Sequence, residues 1–124
     1  SHRPDVEYLL LFRKSAIWNN GLKDVNYSKC LEFGRDNSEA HPTIKPIELI
    51  SNEIKISSNK NSLVVDFFLG SGSTMVASHQ LKRKCYGMEL DPKYCDVIVK
   101  RMVKLDDTLT VKRNGVDCTN EFKA

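Results

Sequence analysis

The chain has 124 residues, 40% of them hydrophobic and 28% charged, with a formal net charge of +3 at pH 7. These values are typical of a soluble globular domain, and a chain of this length buries roughly two thirds of its unfolded surface. No apolar run approaches the roughly 20 residues of a membrane span, and residues 1–7 do not resemble a signal peptide. We therefore expect a cytoplasmic protein with no membrane partner, whose mildly basic charge tolerates an anionic partner without requiring one.

The four cysteines do not follow a metal-binding pattern. They include no Cys-x-x-Cys pair and no histidines at the spacing of a zinc site, so we expect no metal. They lie in apolar or mixed segments, which favours reduced packing residues. These residues are Cys30, Cys85, Cys95 and Cys118.

The first third of the chain combines an apolar run with a long polar segment. Tyr8 to Phe12 is short and apolar, which predicts a buried strand. Residues 15–40 are rich in Asn, Gly, Lys, Asp and Ser and have no clear periodicity, which predicts a flexible loop. The apolar run begins soon after Ser1, which is the pattern expected of a truncated or split protein.

A proline-containing segment leads into the first predicted helix. Pro46 suits the first turn of a helix, where its missing amide costs nothing, and apolar residues then recur at helical spacing to about Ser57. The segment from His41 to Pro46 contains two prolines and presents Thr43 and Lys45. A solvated cap and a surface lysine explain these two side chains as well as a ligand site does.

The centre of the chain is a strand that ends in a glycine-rich loop. Leu63 to Phe68 is apolar apart from Asp66, which predicts a buried parallel strand with an ionisable group near its end. Gly70 and Gly72 permit positive φ angles and the close approach of a ligand to the backbone. An ordinary strand-turn-helix connection, with Asp66 hydrogen-bonded locally, is the alternative for the loop alone.

The loop opens a predicted helix that runs from Ser73 to about Leu81. We expect the side chains of Ser73 and Thr74 to cap this helix and to leave free amide donors at its positive end. Basic residues 82–84 follow, and either a solvated surface or phosphate contact explains them.

The same order of strand and helix then repeats. Residues 85–90 predict a second strand with acidic residues at its end, Glu89 and Asp91. Pro92 starts an amphipathic helix that continues to about Leu105. The alternation predicts an α/β fold with a parallel sheet and right-handed crossovers.

No internal repeat divides the chain, so we expect residues 1–124 to form a single, partial domain. Residues 106–124 differ from the preceding pattern. An Asn-Gly dipeptide between two β-prone runs predicts a carboxyl-terminal hairpin and tail in this segment.

The predicted sheet places acidic residues and the glycine loop at one edge. Ligands of such sheets bind at the carboxyl ends of the strands, where Asp66, the loop and Glu89 all lie. A carboxylate that ends the second strand can accept hydrogen bonds from both hydroxyls of a ribose, so Glu89 is the candidate ribose ligand. An exposed acidic residue at a strand end is the simpler alternative for Glu89.

The loop sequence distinguishes two classes of nucleoside cofactor. A dinucleotide-binding loop requires a third small residue, but Met75 occupies that position. This residue argues against NAD as the cofactor. It favours S-adenosylmethionine (SAM), whose adenosine and amino-acid parts carry no phosphate. No Gly-Lys-Ser/Thr sequence of a phosphate-binding loop occurs.

Three segments in series resemble a known family. They are His41-Pro-Thr-Ile-Lys-Pro46, Asp66-Phe-Phe-Leu-Gly-Ser-Gly-Ser-Thr74 and Tyr86-Gly-Met-Glu-Leu-Asp-Pro-Lys-Tyr94. The series resembles the carboxyl-terminal half of the β-class amino DNA methyltransferases of restriction-modification systems and phages. The resemblance implies a Rossmann-like SAM-dependent methyltransferase fold, here partial, with a mainly parallel sheet and flanking helices. It also implies DNA as a partner and methylation of the exocyclic amino group of adenine or cytosine.

The resemblance assigns roles at the cofactor site. It implies that Thr43 and Lys45 hold the methionine end of SAM and that Glu89 binds the ribose. Phe67 departs from the family, which usually has proline after the aspartate. The resemblance also implies that the amino-acid and sulfonium portion is surrounded by Asp66 and by backbone amides around Phe68, Gly70, Ser71, Gly72, Ser73 and Thr74.

We predict no catalytic residue in this chain. The family's catalytic motif, Asp/Asn/Ser-Pro-Pro-Tyr/Phe/Trp, does not occur, and Asp91-Pro-Lys-Tyr94 lacks its second proline. We therefore expect weak SAM binding, and no methyl transfer without an amino-terminal catalytic or target-recognition segment or subunit. Two alternatives are a non-catalytic SAM- or DNA-associated module that completes a partner and an NAD-binding oxidoreductase domain.

Overall fold

The computed structural model describes residues 47–123 of the chain. In this part of the chain, helices and strands follow in the predicted order. The elements are α1 (Ile47–Ser57), β1 (Leu63–Asp66), α2 (Ser73–Gln80), β2 (Lys84–Gly87), α3 (Pro92–Leu105), β3 (Lys112–Arg113), β4 (Val116–Asp117) and a 3-10 turn (Thr119–Glu121). The predicted strand at Tyr8 to Phe12, the loop at 15–40 and the start of the first helix at Pro46 lie outside the described residues.

β1 and β2 form a parallel pair, as the sequence predicts. Leu63 lies opposite Lys84, and Asp66 lies opposite Gly87. Helix α2 connects the two strands and packs against β2, and its Ser78 is fully buried, with Oγ donating to the carbonyl of Thr74 at 2.7 Å. The carboxyl ends of both strands therefore meet at one edge of the sheet.

One face of the parallel pair is exposed, although the sequence predicts a strand that is buried on both sides. Leu63 and Val65 are 52% and 49% exposed, and Tyr86, which lies opposite Val65, is 66% exposed. Side chains alternate along a strand, so α2 covers the opposite face, which carries Cys85. No helix within residues 47–123 covers the first face, and the predicted burial is wrong there. We call Leu63, Val65 and Tyr86 the open sheet face.

The buried apolar side chains come from all three helices and from the loop after β1. Helix α2 packs against both α1 and α3. A Cβ at Gly87 would overlap the side chain of Leu69, so only glycine fits at the end of β2 while the leucine stays in place. The core residues are Ile54, Leu69, Val76, Ala77, Ile98 and Val103.

Helix α3 has the predicted bounds. Asp91 is its N-cap residue, and Oδ1 of Asp91 accepts a hydrogen bond from the amide of Lys93 at 2.9 Å. Pro92 occupies the first turn, where its missing amide costs nothing. The cap and the proline together explain why the helix begins at this point.

The predicted carboxyl-terminal hairpin is present, but its strands are only two residues long. β3 and β4 pair in the antiparallel direction. Asn114 and Gly115 connect them with φ angles of 53° and 81°. These positive angles explain the Asn-Gly sequence, because both residues tolerate the left-handed region.

A side-chain contact joins the ends of α2 and α3. Nε2 of His79 lies 2.9 Å from Oδ2 of Asp106. The other oxygen, Oδ1, accepts from the hydroxyl and the amide of Thr108 at 2.6 and 3.0 Å. These bonds, those from Thr108 first, hold the pKa of Asp106 below its ordinary value.

Gly72→Ala is expected to destabilise the fold more than Gly115→Ala. Both glycines have positive φ angles, 87° and 81°, so either alanine carries a backbone cost of about 1–2 kcal/mol. At Gly72 the new Cβ would also lie 2.9 Å from Cγ1 of Ile98, whereas nothing lies within 4 Å at Gly115. Such overpacking costs about 1–3 kcal/mol more. Urea denaturation measures both variants, and equal losses would contradict the close packing of Gly72 on α3.

The Asp106→Asn variant is expected to lose less stability than the wild type when the pH falls. Because folding lowers the pKa of Asp106, its contribution is complete above the unfolded-state value near 3.8 and is lost as the pH falls through the folded-state pKa. The wild type should exceed the variant in free energy of unfolding at about pH 7 and approach it at about pH 2. Urea denaturation at both pH values measures this difference, with Asp107→Asn as the control. A difference that stays constant with pH would argue against the prediction.

Candidate functional site

Backbone hydrogen bonds hold the loop after β1 against the segment after β2. The amide of Met88 donates to the carbonyl of Asp66 at 2.9 Å, and the amide of Leu69 donates to the carbonyl of Met88 at 2.9 Å. These bonds continue the pairing of the two chain segments beyond the strands. The loop and residues 88–91 therefore lie side by side at the edge where ligands of parallel α/β sheets bind.

Glu89 joins the two segments through its carboxylate. Oε2 accepts from the amide of Gly70 at 2.7 Å, and Oε1 accepts from the amide of Asp91 at 3.2 Å. A carboxylate has about four acceptor positions, so these bonds orient the group and leave positions for donors of a ligand. The structure thus brings Glu89 and the glycine loop together through a partly buried hydrogen bond.

Asp66 shapes the start of the loop. Oδ1 of Asp66 accepts from the amide of Phe68 at 2.9 Å, which makes an Asx turn. Phe68 itself is 89% exposed. This bond is the one expected of a turn-forming residue. It matches the alternative in which Asp66 is hydrogen-bonded locally in an ordinary strand-turn-helix connection.

A glycine, and not a hydroxyl side chain, caps helix α2. Gly72 is the N-cap residue, with a φ of 87°, and no side chain caps this end. The predicted caps at Ser73 and Thr74 are wrong, because both residues already lie inside the helix. The first amides of an α-helix have no acceptor within the helix. Those of Ser73 and Thr74 therefore remain donors for an anionic or polar group.

The hydroxyls of Ser71 and Ser73 are engaged by helix α3. Nη1 of Arg101 lies 3.2 Å from the carbonyl oxygen of Ser71, 3.3 Å from its Oγ and 3.2 Å from Oγ of Ser73. Sequence reasoning missed Arg101. The available signal was its position three residues after Ile98 on a helix, which places the two side chains side by side.

Two apolar side chains beside Glu89 are accessible. Leu90 is 98% exposed and Phe68 is 89% exposed. Small-molecule sites combine apolar surface with a few placed polar groups, and this edge of the sheet has both. Sequence reasoning placed Leu90 at the end of the second strand and did not identify it as an accessible side chain.

The other predicted site residues, Thr43 and Lys45, lie outside the described residues. Within residues 47–123, no group of three or more His, Cys, Asp or Glu side chains could hold a metal ion. No helix of that segment is long and apolar enough to cross a membrane. Its three cysteines, at positions 85, 95 and 118, are unpaired.

Comparison with known families determines the class of protein. A family model described as DNA methylase (N6_N4_Mtase) matches residues 3–100. The chain belongs to this DNA methylase family. The predicted resemblance to amino DNA methyltransferases is thereby confirmed.

The chain spans only part of the length of the curated relatives that it matches. The type II methyltransferase M.MjaI of Methanocaldococcus jannaschii is 29% identical over 138 residues, which cover 95% of this chain and 44% of the relative. M.HpaI of Haemophilus parainfluenzae is 31% identical, with coverage of 82% and 32%. M1.MboII of Moraxella bovis is 39% identical, with coverage of 49% and 24%. The chain thus spans less than half the length of each relative.

Solved structures establish the fold of the chain. The M1.HpyAVI–SAM complex is 30% identical, with a TM-score of 0.53, and covers 63% of this chain and 43% of that chain. The PvuII DNA methyltransferase (cytosine-N4-specific) is 30% identical, with a TM-score of 0.51 and coverage of 58% and 25%. The predicted partial α/β methyltransferase fold, with a small parallel sheet and flanking helices, is confirmed.

Proposed function

We propose that this chain is the SAM-binding part of a DNA methyltransferase that modifies the exocyclic amino group of adenine or cytosine. The carboxylate of Glu89 carries the proposal, because it is held against the amide of Gly70 at 2.7 Å at the carboxyl ends of two parallel strands. Two similar structures, of M1.HpyAVI and of a DNA modification methylase from Thermus thermophilus, are complexes with SAM, which supports the same cofactor here.

The described residues fit the separate parts of SAM. Glu89 retains acceptor positions for ribose hydroxyls. The first amides of α2 suit the carboxylate of the amino-acid portion. Leu90, which is 98% exposed, offers apolar surface to the adenine. NAD fits less well, because Met75 occupies the position where a dinucleotide loop needs a third small residue.

Further contacts are proposed from the family resemblance. Thr43 and Lys45 would hold the methionine end of the cofactor. When bound, SAM supplies an electrophilic methyl group. This chain orients the donor, and the binding of the target base belongs to a segment with the double-proline motif. The loop residues proposed to surround the amino-acid and sulfonium portion are Asp66, Phe68, Gly70, Ser71, Gly72, Ser73 and Thr74.

We further propose that the catalytic segment of a methylase covers the open sheet face. Parallel sheets are normally buried on both faces, but Val65 and Tyr86 are 49% and 66% exposed. The match to this chain leaves more than half of each curated relative unaccounted for, so relatives contain additional segments that can cover such a face. The type II methyltransferases among these relatives support a restriction-modification context.

Glu89→Ala is expected to weaken SAM binding at least about tenfold, because it removes the proposed ribose acceptor and the bond that orients the glycine loop. Glu121→Ala is the matched control, since Glu121 lies in the carboxyl-terminal tail and its described partner is the exposed Arg113. Isothermal titration calorimetry of the full chain with SAM and with NAD measures both effects. Binding of NAD without SAM would support the oxidoreductase alternative and contradict the proposed cofactor.

The chain alone is expected to transfer no methyl group, because the double-proline motif is absent from its sequence. Labelled SAM and duplex DNA test this with the lone chain and with an added amino-terminal methylase fragment that carries the motif. Restored incorporation supports a split or truncated enzyme. Robust methylation by the lone chain would contradict the proposal, and SAM binding without any restoration favours the non-catalytic module.

The same assay tests the open sheet face. Val65→Asp should prevent restoration by the fragment while SAM binding is retained, because a charge on this face opposes its burial. Val116→Asp is the control, since Val116 is 69% exposed and lies on the hairpin. If the fragment restored methylation equally in both variants, it would have to bind to a surface other than the open sheet face.

A further inference from the structure

Helix α3 contacts the glycine loop through two residues that lie about one helical turn apart. Ile98 packs so closely against the loop that a Cβ at Gly72 would lie 2.9 Å from its Cγ1. One turn later, Nη1 of Arg101 reaches three oxygen atoms of Ser71 and Ser73 at 3.2 to 3.3 Å. Ser71 and Ser73 are only 5% and 6% exposed. Two side chains of α3 therefore hold the glycine loop in place.

The contact with Arg101 restricts the conformation of the loop, which its glycines alone would not fix. Gly70 and Gly72 have φ angles of 57° and 87°, and glycine populates such conformations without fixing any one of them. The serine hydroxyls, which could otherwise rotate, are engaged by Arg101. The arrangement of the amides between Gly70 and Thr74 therefore depends on a side chain that lies thirty residues further along the chain.

The charge of Arg101 acts at the same place. The guanidinium stays protonated at any physiological pH, and it lies beside the first turn of α2, where the helix dipole is already positive. The guanidinium therefore brings hydrogen-bond donors to the turn whose first amides lack acceptors within the helix.

We propose that Arg101 is a positioning residue for the amino-acid end of SAM. It holds the loop amides in the arrangement that receives the carboxylate, and it does so through Ser71 and Ser73. This inference rests on the proposed function, because it assigns the glycine loop to the amino-acid portion of that cofactor. It predicts a defect that depends on the part of the ligand that the loop contacts.

Arg101→Met tests the inference, since methionine keeps the apolar stem and removes the hydrogen bonds and the charge. The probes are SAM and 5′-methylthioadenosine, which has the adenosine and the sulfur but no amino-acid portion. Calorimetry of the full chain should show SAM binding weakened by about tenfold or more and 5′-methylthioadenosine binding unchanged. Arg101→Lys, which restores the charge and some donors, should recover part of the SAM affinity.

Lys100→Met is the matched control, because it removes a positive charge from the exposed neighbouring position of α3. Its SAM affinity should equal that of the wild type. An Arg101→Met chain that binds SAM normally, or that loses both probes equally, would overturn the positioning role and leave the proposed function standing. Failure of the wild-type chain to bind SAM would overturn the proposed function and this inference with it.

Discussion

The candidate site depends on one hydrogen bond between two chain segments that are distant in sequence. Glu89 follows β2, Gly70 follows β1, and the carboxylate of the first accepts from the amide of the second at 2.7 Å. The bond forms because the parallel register places Asp66 opposite Gly87, so both segments leave the sheet together. A shift of the register by one residue would turn Glu89 to the opposite face.

Residues from two other segments of the chain hold the glycine loop in place. The glycine loop is bonded through its backbone to Met88, through Gly70 to Glu89, and through its serines to Arg101. Each contact comes from a different position in the chain, and each restricts a loop whose glycines would otherwise adopt many conformations. Binding then costs less conformational entropy, because the amides are held before the ligand arrives.

The order of the elements and the position of Glu89 could be predicted, because both follow from local hydrophobic periodicity and from the direction of parallel strands. The exposure of Val65 could not be predicted, because an apolar run does not reveal whether another element covers each face of the sheet. Statistical preference assigns the cap of α2 to hydroxyl residues, but the left-handed conformation of Gly72 places them inside the helix. Arg101 resembles an ordinary surface cation until tertiary packing brings α3 to the loop.

On the proposal that a separate catalytic segment covers the open sheet face, the stability of this chain depends on the abundance of that segment. A partner that binds only the folded form stabilises that form by mass action, by about 2.7 kcal/mol when its concentration is a hundred times the Kd. This is a large share of the roughly 5–15 kcal/mol that holds a typical domain together. Copies without a partner would unfold more often and be degraded first, so the supply of the covering segment would set how much of the chain persists in the cell.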